Sequence, residues 1–125
     1  ITTRLVGSEM CIRDRSEAIV RQGNAVTQEA VDLLNMVHTR AGLPPYTTAD
    51  FAGADEFLEA VLMERGHELW FEGVRRSDLI RYGRYIEYVR KYKNSPTVQD
   101  YMTLMPLPQS VINESKGKIT QNPGY

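Results

Sequence analysis

The chain has 125 residues, of which 42% are hydrophobic and 25% charged, and this size and composition fit one small globular domain. Fifteen basic and sixteen acidic residues leave a formal net charge of -1, which excludes a whole-chain field that would draw the protein to nucleic acid or to an anionic membrane. No apolar run reaches the roughly 18–20 residues that a transmembrane helix needs, and the first residues lack the apolar region of a secretory signal.

The first fifteen residues have no regular pattern. Their apolar residues fit no helical period: Leu5, Val6, Met10 and Ile12. The residues before Cys11 do not form the short apolar motif that precedes a lipidated cysteine, so no anchoring signal is found in this chain. The run from Leu5 to Arg15 resembles a peptide that arises when sequencing-adapter DNA is translated at the edge of an assembled fragment. We therefore expect residues 1–15 to be a non-native or truncated segment with few apolar contacts, and residues 16–125 to be the folded region.

Two helices are predicted in the next part of the chain. Residues 16–23 are typical of the end of a helix, which Gly23 stops. Thr27 is placed to cap a second helix, whose apolar residues recur at helical spacing: Ala30, Val31, Leu34, Val37 and Ala41. Gly42 can take the left-handed cap, and Pro44 and Pro45 prevent the helix from continuing. The spacing predicts two antiparallel helices joined by a short turn, as in tetratricopeptide-like helix pairs.

A third helix is predicted to begin near Asp55. Its apolar face contains Leu58, Val61, Leu62 and Leu69, and Phe57, Trp70 and Phe71 widen that face. Gly66 lies in its middle and costs about 1 kcal/mol relative to alanine, which indicates close backbone packing at that point.

The last third of the chain is predicted to change from helix to an extended tail. A fourth helix runs from Arg76 or Ser77 towards Tyr92, with a break at Gly83. Residues 104–108 must be extended because each of their prolines disfavours helix in the residue before it. One helical turn is expected over residues 109–113, followed by a turn-rich end. The sequence therefore predicts an all-α, mainly helical fold with an extended Pro-rich C-terminal tail.

The densest charged stretch, residues 64–81, raises the question of catalysis. Glu64, Glu68 and Glu72 lie four residues apart on one helix face and could supply the acid and base of a glycoside hydrolase. Each of these acids, however, has an arginine within one turn, and a neighbouring arginine favours the ionised carboxylate, which spoils a general acid. Arg65 is within reach of Glu68, and Glu72 is within reach of Arg75 or Arg76. We interpret the stretch as a buried or half-buried ion-pair network joining two helices, and we predict no catalytic residue and no enzyme.

Metal and nucleic-acid sites are also disfavoured. His67-Glu68 begins a zinc-protease motif, but Phe71 stands where the second histidine would be needed, and His38 lies in a different helix, where it is expected to serve as a C-terminal charge. Basic residues between positions 75 and 93 alternate with Tyr82, Tyr85, Tyr88 and Tyr92, a pattern that could stack nucleic-acid bases. Tyrosines three or four apart on a helix are more often half-buried with their hydroxyls at the surface. No Gly-rich phosphate loop is present, and we predict no metal and no cofactor.

Three separate motifs resemble the SusD/RagB family, and they follow one another along the chain in the family's order. The charged stretch matches the family pattern of its C-terminal region at Glu64, Arg65, Glu68, Leu69, Phe71, Glu72, Gly73, Arg75, Asp78, Leu79, Arg81 and Gly83. Upstream, residues 35–44 are similar to the pattern Asn-x-Val-Arg-x-Arg-Ala-Gly-Leu-Pro, with His38 in place of the usual arginine, which affects a single surface contact. The ending, residues 104–108 and 121–125, is similar to the family's own C-terminus. The resemblance covers residues 16–125.

The resemblance implies a function as well as a fold. Members are cell-surface lipoproteins of the bacterial outer membrane that bind oligosaccharides or similar nutrients and cap a TonB-dependent (SusC-like) transporter. They are mainly helical, with tetratricopeptide-like helix pairs, and several times longer than this chain. The resemblance thus implies that the chain is the C-terminal part of a SusD-like fold, that the lipid anchor and most ligand-contacting loops lie outside it, and that no ligand-binding residue can be assigned from the motifs.

Two other classes of protein remain as alternatives. Residues 16–42 alone would fit a tetratricopeptide-like protein-interaction scaffold, but a solenoid would repeat the helix pair instead of continuing into the Glu64–Gly83 motif and a Pro-rich end. A glycosidase is disfavoured because arginines accompany its candidate carboxylates.

Overall fold

The computed structural model describes residues 8–125, with side chains from Cys11 onward, and every regular element in that range is a helix. The α-helices are α1 (Ser8–Gly23), α2 (Gln28–His38), α3 (Ala54–Glu68), α4 (Arg75–Arg81), α5 (Tyr85–Tyr92) and α6 (Gln109–Glu114). Short 3-10 helices lie at Thr39–Ala41, Thr48–Asp50 and Asp100–Thr103. This confirms the predicted all-α fold. Among the described residues the longest helix has 16 residues, and none is apolar and long enough to cross a bilayer.

The chain divides into two compact units, an N-terminal unit (Ile1–Arg75) and a C-terminal unit (Arg76–Tyr125). In the N-terminal unit, α1 packs along α2 and also contacts α3. The centre of this packing is a cluster of fully buried apolar side chains: Val20, Ala30, Val31, Leu34, Phe57 and Val61. Burying a side chain of valine, leucine or phenylalanine size stabilises a fold by about 1.5–3 kcal/mol, so this cluster is the main source of stability in the unit.

The predicted start and end of α2 are confirmed. The Thr27 hydroxyl accepts a hydrogen bond from the Ala30 backbone N–H at 3.2 Å, which satisfies one of the unpaired donors of the first turn. Ser16 fixes α1 to the same point, because its hydroxyl donates to the Ala30 carbonyl oxygen at 2.7 Å. Gly42 closes the following 3-10 turn with a φ of 82°. That turn shifts the helical phase, so Ala41 is exposed rather than part of the apolar stripe.

The third helix is shorter than predicted. Its last residue is Glu68, and Leu69 turns inward and is buried. Phe71 then adopts a left-handed backbone with a φ of 68°, which reverses the chain. Trp70 and Phe71 therefore leave the predicted apolar face and are 74% and 92% exposed. The prediction that both rings widen the core face is wrong, because it assumed that the helix continues past residue 68.

In the C-terminal unit, the predicted break at Gly83 is confirmed. Gly83 has a φ of 69° and separates α4 from α5. Residues 104–108 are extended, as expected from the prolines, and α6 follows them. The buried apolar side chains of this unit are few, Leu79 and Val98. Its backbone is held in part by polar side chains.

Residues 8–15 extend α1 by two turns before the predicted helix end. Within them Cys11 is exposed, Ile12 is half-buried and Arg13 is buried. Residues 1–7 and the side chains of residues 8–10, including Met10, lie outside the described part of the chain. A non-native origin of residues 1–15 stays a prediction.

Candidate functional site

The charged motif residues of α3 form the ion-pair network that the sequence predicts. Glu64 and Arg65 are buried, with 5% and 6% of their surfaces exposed. Glu64 Oε2 lies 3.0 Å from Nδ1 of His38 at the end of α2. Arg65 Nη1 donates to a carboxylate oxygen of Asp14 on α1. The network therefore joins three helices, not two.

Glu68 is the second acid of the network. Its Oε2 accepts a hydrogen bond from Arg40 Nη2 at 2.6 Å and lies 3.7 Å from Arg13 Nη1. The partners differ from the expected pairing with Arg65, because Arg65 faces α1 instead. Glu72 is exposed, and it makes no ion pair with any residue between positions 8 and 125. With Glu64 and Glu68 both held by basic groups, neither carboxylate of the network has the surroundings of a general acid.

His38 is a structural partner and not the surface contact that the sequence suggested. Only 7% of its surface is exposed, and its ring stacks on Tyr46 with centroids 4.3 Å apart. Tyr46 is itself held by Asn35, whose side-chain amide donates to the Tyr46 carbonyl and accepts from its N–H, both at 2.8 Å. Asn35 and His38 of the upstream motif thus hold Tyr46, in the loop after α2, close to Glu64 of α3. Spacing could place His38 on a helix but could not show that Tyr46 would fold back over it.

Arg75 explains the glycine in the middle of α3. Its Nη1 donates to the Leu62 carbonyl oxygen at 2.6 Å, and a β-carbon on Gly66 would lie 2.8 Å from that same nitrogen. The close packing predicted at Gly66 is therefore confirmed, and its partner is a guanidinium and not another backbone.

Arg13 is the least satisfied member of the network. It is 1% exposed, and its Nε and Nη1 atoms have no hydrogen-bond partner within the described part of the chain. Burial lowers the pKa of this guanidinium, against an opposing effect of Glu68. A buried cation with unfilled donors is costly, so Arg13 fits its site poorly.

No metal site forms from the histidines. Within residues 8–125, no group of three or more His, Cys, Asp or Glu side chains is placed to hold a metal ion. His67 is exposed and His38 is engaged by Glu64.

The basic and aromatic residues of the C-terminal unit lie mostly on α4 and α5. Tyr82, Tyr85 and Tyr88 are half-buried, as predicted, but the Tyr82 hydroxyl is buried and not at the surface, and Tyr92 is 61% exposed. Arginine guanidiniums cover two of the rings, Arg76 over Tyr85 at 5.0 Å and Arg81 over Tyr82 at 4.9 Å. Arg81 also donates to Asp78, three residues earlier on α4, at 3.1 Å. Tyr82 and Tyr85 are covered by these guanidiniums, so the four rings do not form a row of free stacking platforms.

Comparison with known proteins places this arrangement in a family. The model of the SusD family matches residues 15–125. The starch-binding protein SusD of Bacteroides thetaiotaomicron is 30% identical over 117 residues, which are 89% of this chain and 19% of SusD.

Two solved structures from the same organism share the fold. A SusD homologue has a TM-score of 0.79 at 28% identity, over 94% of this chain and 26% of its own. Surface glycan-binding protein A has a TM-score of 0.72 at 28% identity, over 92% of this chain and 23% of its own. The chain thus spans about a fifth to a quarter of the length of these relatives. With its motifs in register and its helices superposing on theirs, the chain belongs to the SusD family.

Proposed function

We propose that this chain is part of a cell-surface protein that captures oligosaccharides and passes them to a TonB-dependent outer-membrane transporter. The observation that carries the proposal is the family match over residues 15–125. The names of two relatives, a starch-binding protein and a surface glycan-binding protein, support a saccharide as the ligand.

The motif residues support a scaffold role for this region in the longer protein. Glu64, Arg65 and Arg75 are buried or half-buried, and each contacts another part of the N-terminal unit. They fix helices to one another. The principal saccharide site and the lipid anchor are therefore assigned, as part of this proposal, to the portion of the longer protein that this chain does not span.

The same contacts favour binding over hydrolysis. Glycoside hydrolysis needs one carboxylic acid that holds its proton beside a free carboxylate. Glu64 faces His38, and Glu68 faces Arg40 and Arg13. A protein of this kind would hold a saccharide without cleaving it.

Affinity electrophoresis of the protein expressed from the full reading frame, in gels containing neutral or acidic polysaccharides, tests the proposal. We expect retarded migration in at least one polysaccharide and no release of shorter sugars on chromatography. Arg75→Ala serves as the structural control, because it should lower the melting temperature while leaving affinity per folded molecule nearly unchanged. Release of oligosaccharides that stops in Glu64→Gln or Glu68→Gln would identify a glycosidase instead.

A further inference from the structure

Charge is distributed unevenly between the two units. Residues 1–75 contain seven basic and twelve acidic residues, a formal charge of -5, whereas residues 76–125 contain eight basic and four acidic residues, a formal charge of +4. The near-neutral total therefore conceals a basic C-terminal unit. A positive surface raises the local concentration of anionic ligands and speeds their association.

The positive charge is densest around α5. Between positions 81 and 93 there are five basic residues and one acid, Glu87. Arg84 lies 3.4 Å from Glu87, and Arg90 donates to the Val98 carbonyl at 2.9 Å and lies 3.4 Å from Asp100. Lys91 and Lys93 are exposed, and neither forms an ion pair with any of the side chains described, those of residues 11–125. The ammonium groups of Lys91 and Lys93 are therefore accessible to an anionic ligand.

An exposed aromatic ring lies between these lysines in the sequence. Tyr92 is 61% exposed, and the Tyr88 ring packs beside it with centroids 4.7 Å apart. The Lys91 ammonium lies 5.0 Å from the centre of the Tyr92 ring. An aromatic ring offers an apolar surface to the C–H face of a sugar. The Lys91 ammonium, which lies over the Tyr92 ring, offers a charge to a carboxylate or sulfate on the same sugar.

The surface formed by Lys91, Tyr92 and Lys93 is better evidence of a ligand site than the exposed rings of Trp70 and Phe71. Apolar rings gain free energy from any burial, so a further part of a longer protein could cover that pair. Burying an unpaired ammonium group is strongly unfavourable, so any surface or ligand that covers Lys91 and Lys93 must carry negative charge. The two rings are also perpendicular, at 86°, and do not form a flat platform for a sugar.

We propose that Lys91, Tyr92 and Lys93 form a binding surface for anionic saccharides, specifically chains of uronic acids. The inference rests on the proposed saccharide function and adds the class of sugar and a location for a contact. Tyr92 contacts the sugar ring, and the two lysines contact carboxylates on the same or adjacent sugars.

Calorimetric titration of the 125-residue chain with an oligogalacturonate, and with a malto-oligosaccharide of the same length, tests this surface. We expect the uronate to bind more tightly and its affinity to fall with added salt, because exposed charge pairs are screened. Lys91→Glu/Lys93→Glu should weaken uronate binding roughly tenfold or more. Lys116→Glu/Lys118→Glu makes the same change in net charge at two other exposed lysines of this unit and should have a much smaller effect. Tyr92→Ala should weaken binding without changing its dependence on salt.

An equal loss of uronate affinity in both double variants would contradict the proposed site. It would show that the basic C-terminal unit as a whole attracts the ligand. Preferential binding to vesicles containing anionic phospholipid, lost in Lys91→Glu/Lys93→Glu, would identify a membrane contact and also contradict the proposed site. If the chain or the longer protein binds neutral sugar and is unaffected by the Lys91 and Lys93 changes, the proposed function stands and this surface does not. If neither binds any saccharide, the proposed function fails with it. Circular dichroism of each variant excludes unfolding as the cause of a loss.

Discussion

Each of the two units is stabilised by a different kind of internal contact. In the N-terminal unit, six apolar side chains from α1, α2 and α3 are fully buried against one another. In the C-terminal unit, the buried apolar side chains are Leu79, at 4% exposed, and Val98, at 7%. One part of the fold thus depends on hydrophobic burial, and the other depends on directed hydrogen bonds.

Several side chains of the C-terminal unit donate hydrogen bonds to backbone carbonyl groups. Arg76 donates to the carbonyl of Thr103 at 3.0 Å, and Arg90 donates to that of Val98 at 2.9 Å. The last five residues bind residues 104–107, because Gln121, Asn122 and Tyr125 donate to the carbonyls of Leu107, Met105 and Leu104. Pro106 and Pro108 have no N–H, so that segment could not form a complete ladder with another strand. Side chains take over the pairing that the backbone cannot provide.

The proposed functions of the two regions differ as well. The acidic N-terminal unit holds its buried carboxylates Glu64 and Glu68 against basic side chains, which fits the proposed scaffold role. The basic C-terminal unit has few buried apolar side chains and presents Lys91, Tyr92 and Lys93 at the end of α5.

The largest effect is expected in the apolar core. Phe57→Ala removes a fully buried ring and should lower the free energy of unfolding of the N-terminal unit by about 3–5 kcal/mol. Val98→Ala removes less volume from a site that is still 7% exposed and should cost less. Urea denaturation followed by circular dichroism measures both. Equal costs would show that the C-terminal unit has an apolar core of comparable importance.

Replacing the poorly satisfied cation should stabilise the N-terminal unit. Arg13→Met removes a buried guanidinium whose Nε and Nη1 have no hydrogen-bond partner in the described part of the chain, and an apolar side chain of similar size avoids that desolvation cost. Glu68 keeps its 2.6 Å contact with Arg40, so no carboxylate is left unpaired. We expect a higher midpoint of urea denaturation. A lower midpoint would mean that Arg13 is a well-fitted native residue and would weaken the proposal that residues 1–15 are foreign.

Removing one side chain of the tail should loosen the C-terminal unit alone. Gln121 accepts from the Leu107 N–H at 2.7 Å and donates to its carbonyl at 3.0 Å, so Gln121→Ala should cost about 1–3 kcal/mol locally. Hydrogen exchange of residues 104–125 should accelerate, while the amides of α2 should be unchanged. Gln109→Ala is the control, because Gln109 bonds only to exposed Asn113 one turn away. Faster exchange throughout the chain would show that the tail supports both units.

A smaller effect is expected at Gly66. Alanine there gains about 1 kcal/mol of helix propensity but displaces the Arg75 guanidinium from Leu62. Gly66→Ala should therefore stabilise α3 less than Gly23→Ala stabilises α1, since nothing lies within 4 Å of a β-carbon at Gly23. In an Arg75→Ala background, Gly66→Ala and Gly23→Ala should change the free energy of unfolding by similar amounts. A double-mutant cycle with no coupling between positions 66 and 75 would contradict this account.

The smallest effect concerns an exposed turn. The Thr47 backbone N–H, and then its hydroxyl, lower the pKa of Asp50 below its ordinary value of 3.8. Because the folded pKa is the lower one, this contribution is fully present above pH 3.8 and is lost as the pH falls through the folded value. Asp50→Asn should slightly flatten the acid side of a stability profile. An unchanged profile would mean that the turn does not contribute to stability.

Much of the fold follows from local sequence signals. Thr27, Gly42 and Gly83 predict the ends of helices because capping and left-handed glycine depend on adjacent residues only. Trp70 and Phe71 were assigned to the core because their spacing continues the α3 pattern. Whether a helix stops one turn earlier depends on tertiary packing, here the inward turn of Leu69, and periodicity contains no information about it.

The sequence predicts that the charged residues of the network form ion pairs, but it does not predict which residues pair. The density of charge between positions 64 and 81 indicated ion pairs, since buried charges need partners. The pairing of Arg65 with Asp14 and of Glu64 with His38 joins residues 51 and 26 positions apart. Contacts of that separation depend on how the helices cross, which no local motif specifies. The exposed Tyr92 was likewise grouped with its half-buried neighbours, because all four tyrosines share one spacing.

The most direct test of the proposed difference in function between the two units is a two-dimensional amide NMR titration of the 125-residue chain with an oligogalacturonate. The account predicts saturable shift changes at residues 88–93, with the core amides of Ala30 and Val61 unmoved. Shift changes centred on Trp70 and Phe71, or spread through the N-terminal unit, would contradict it.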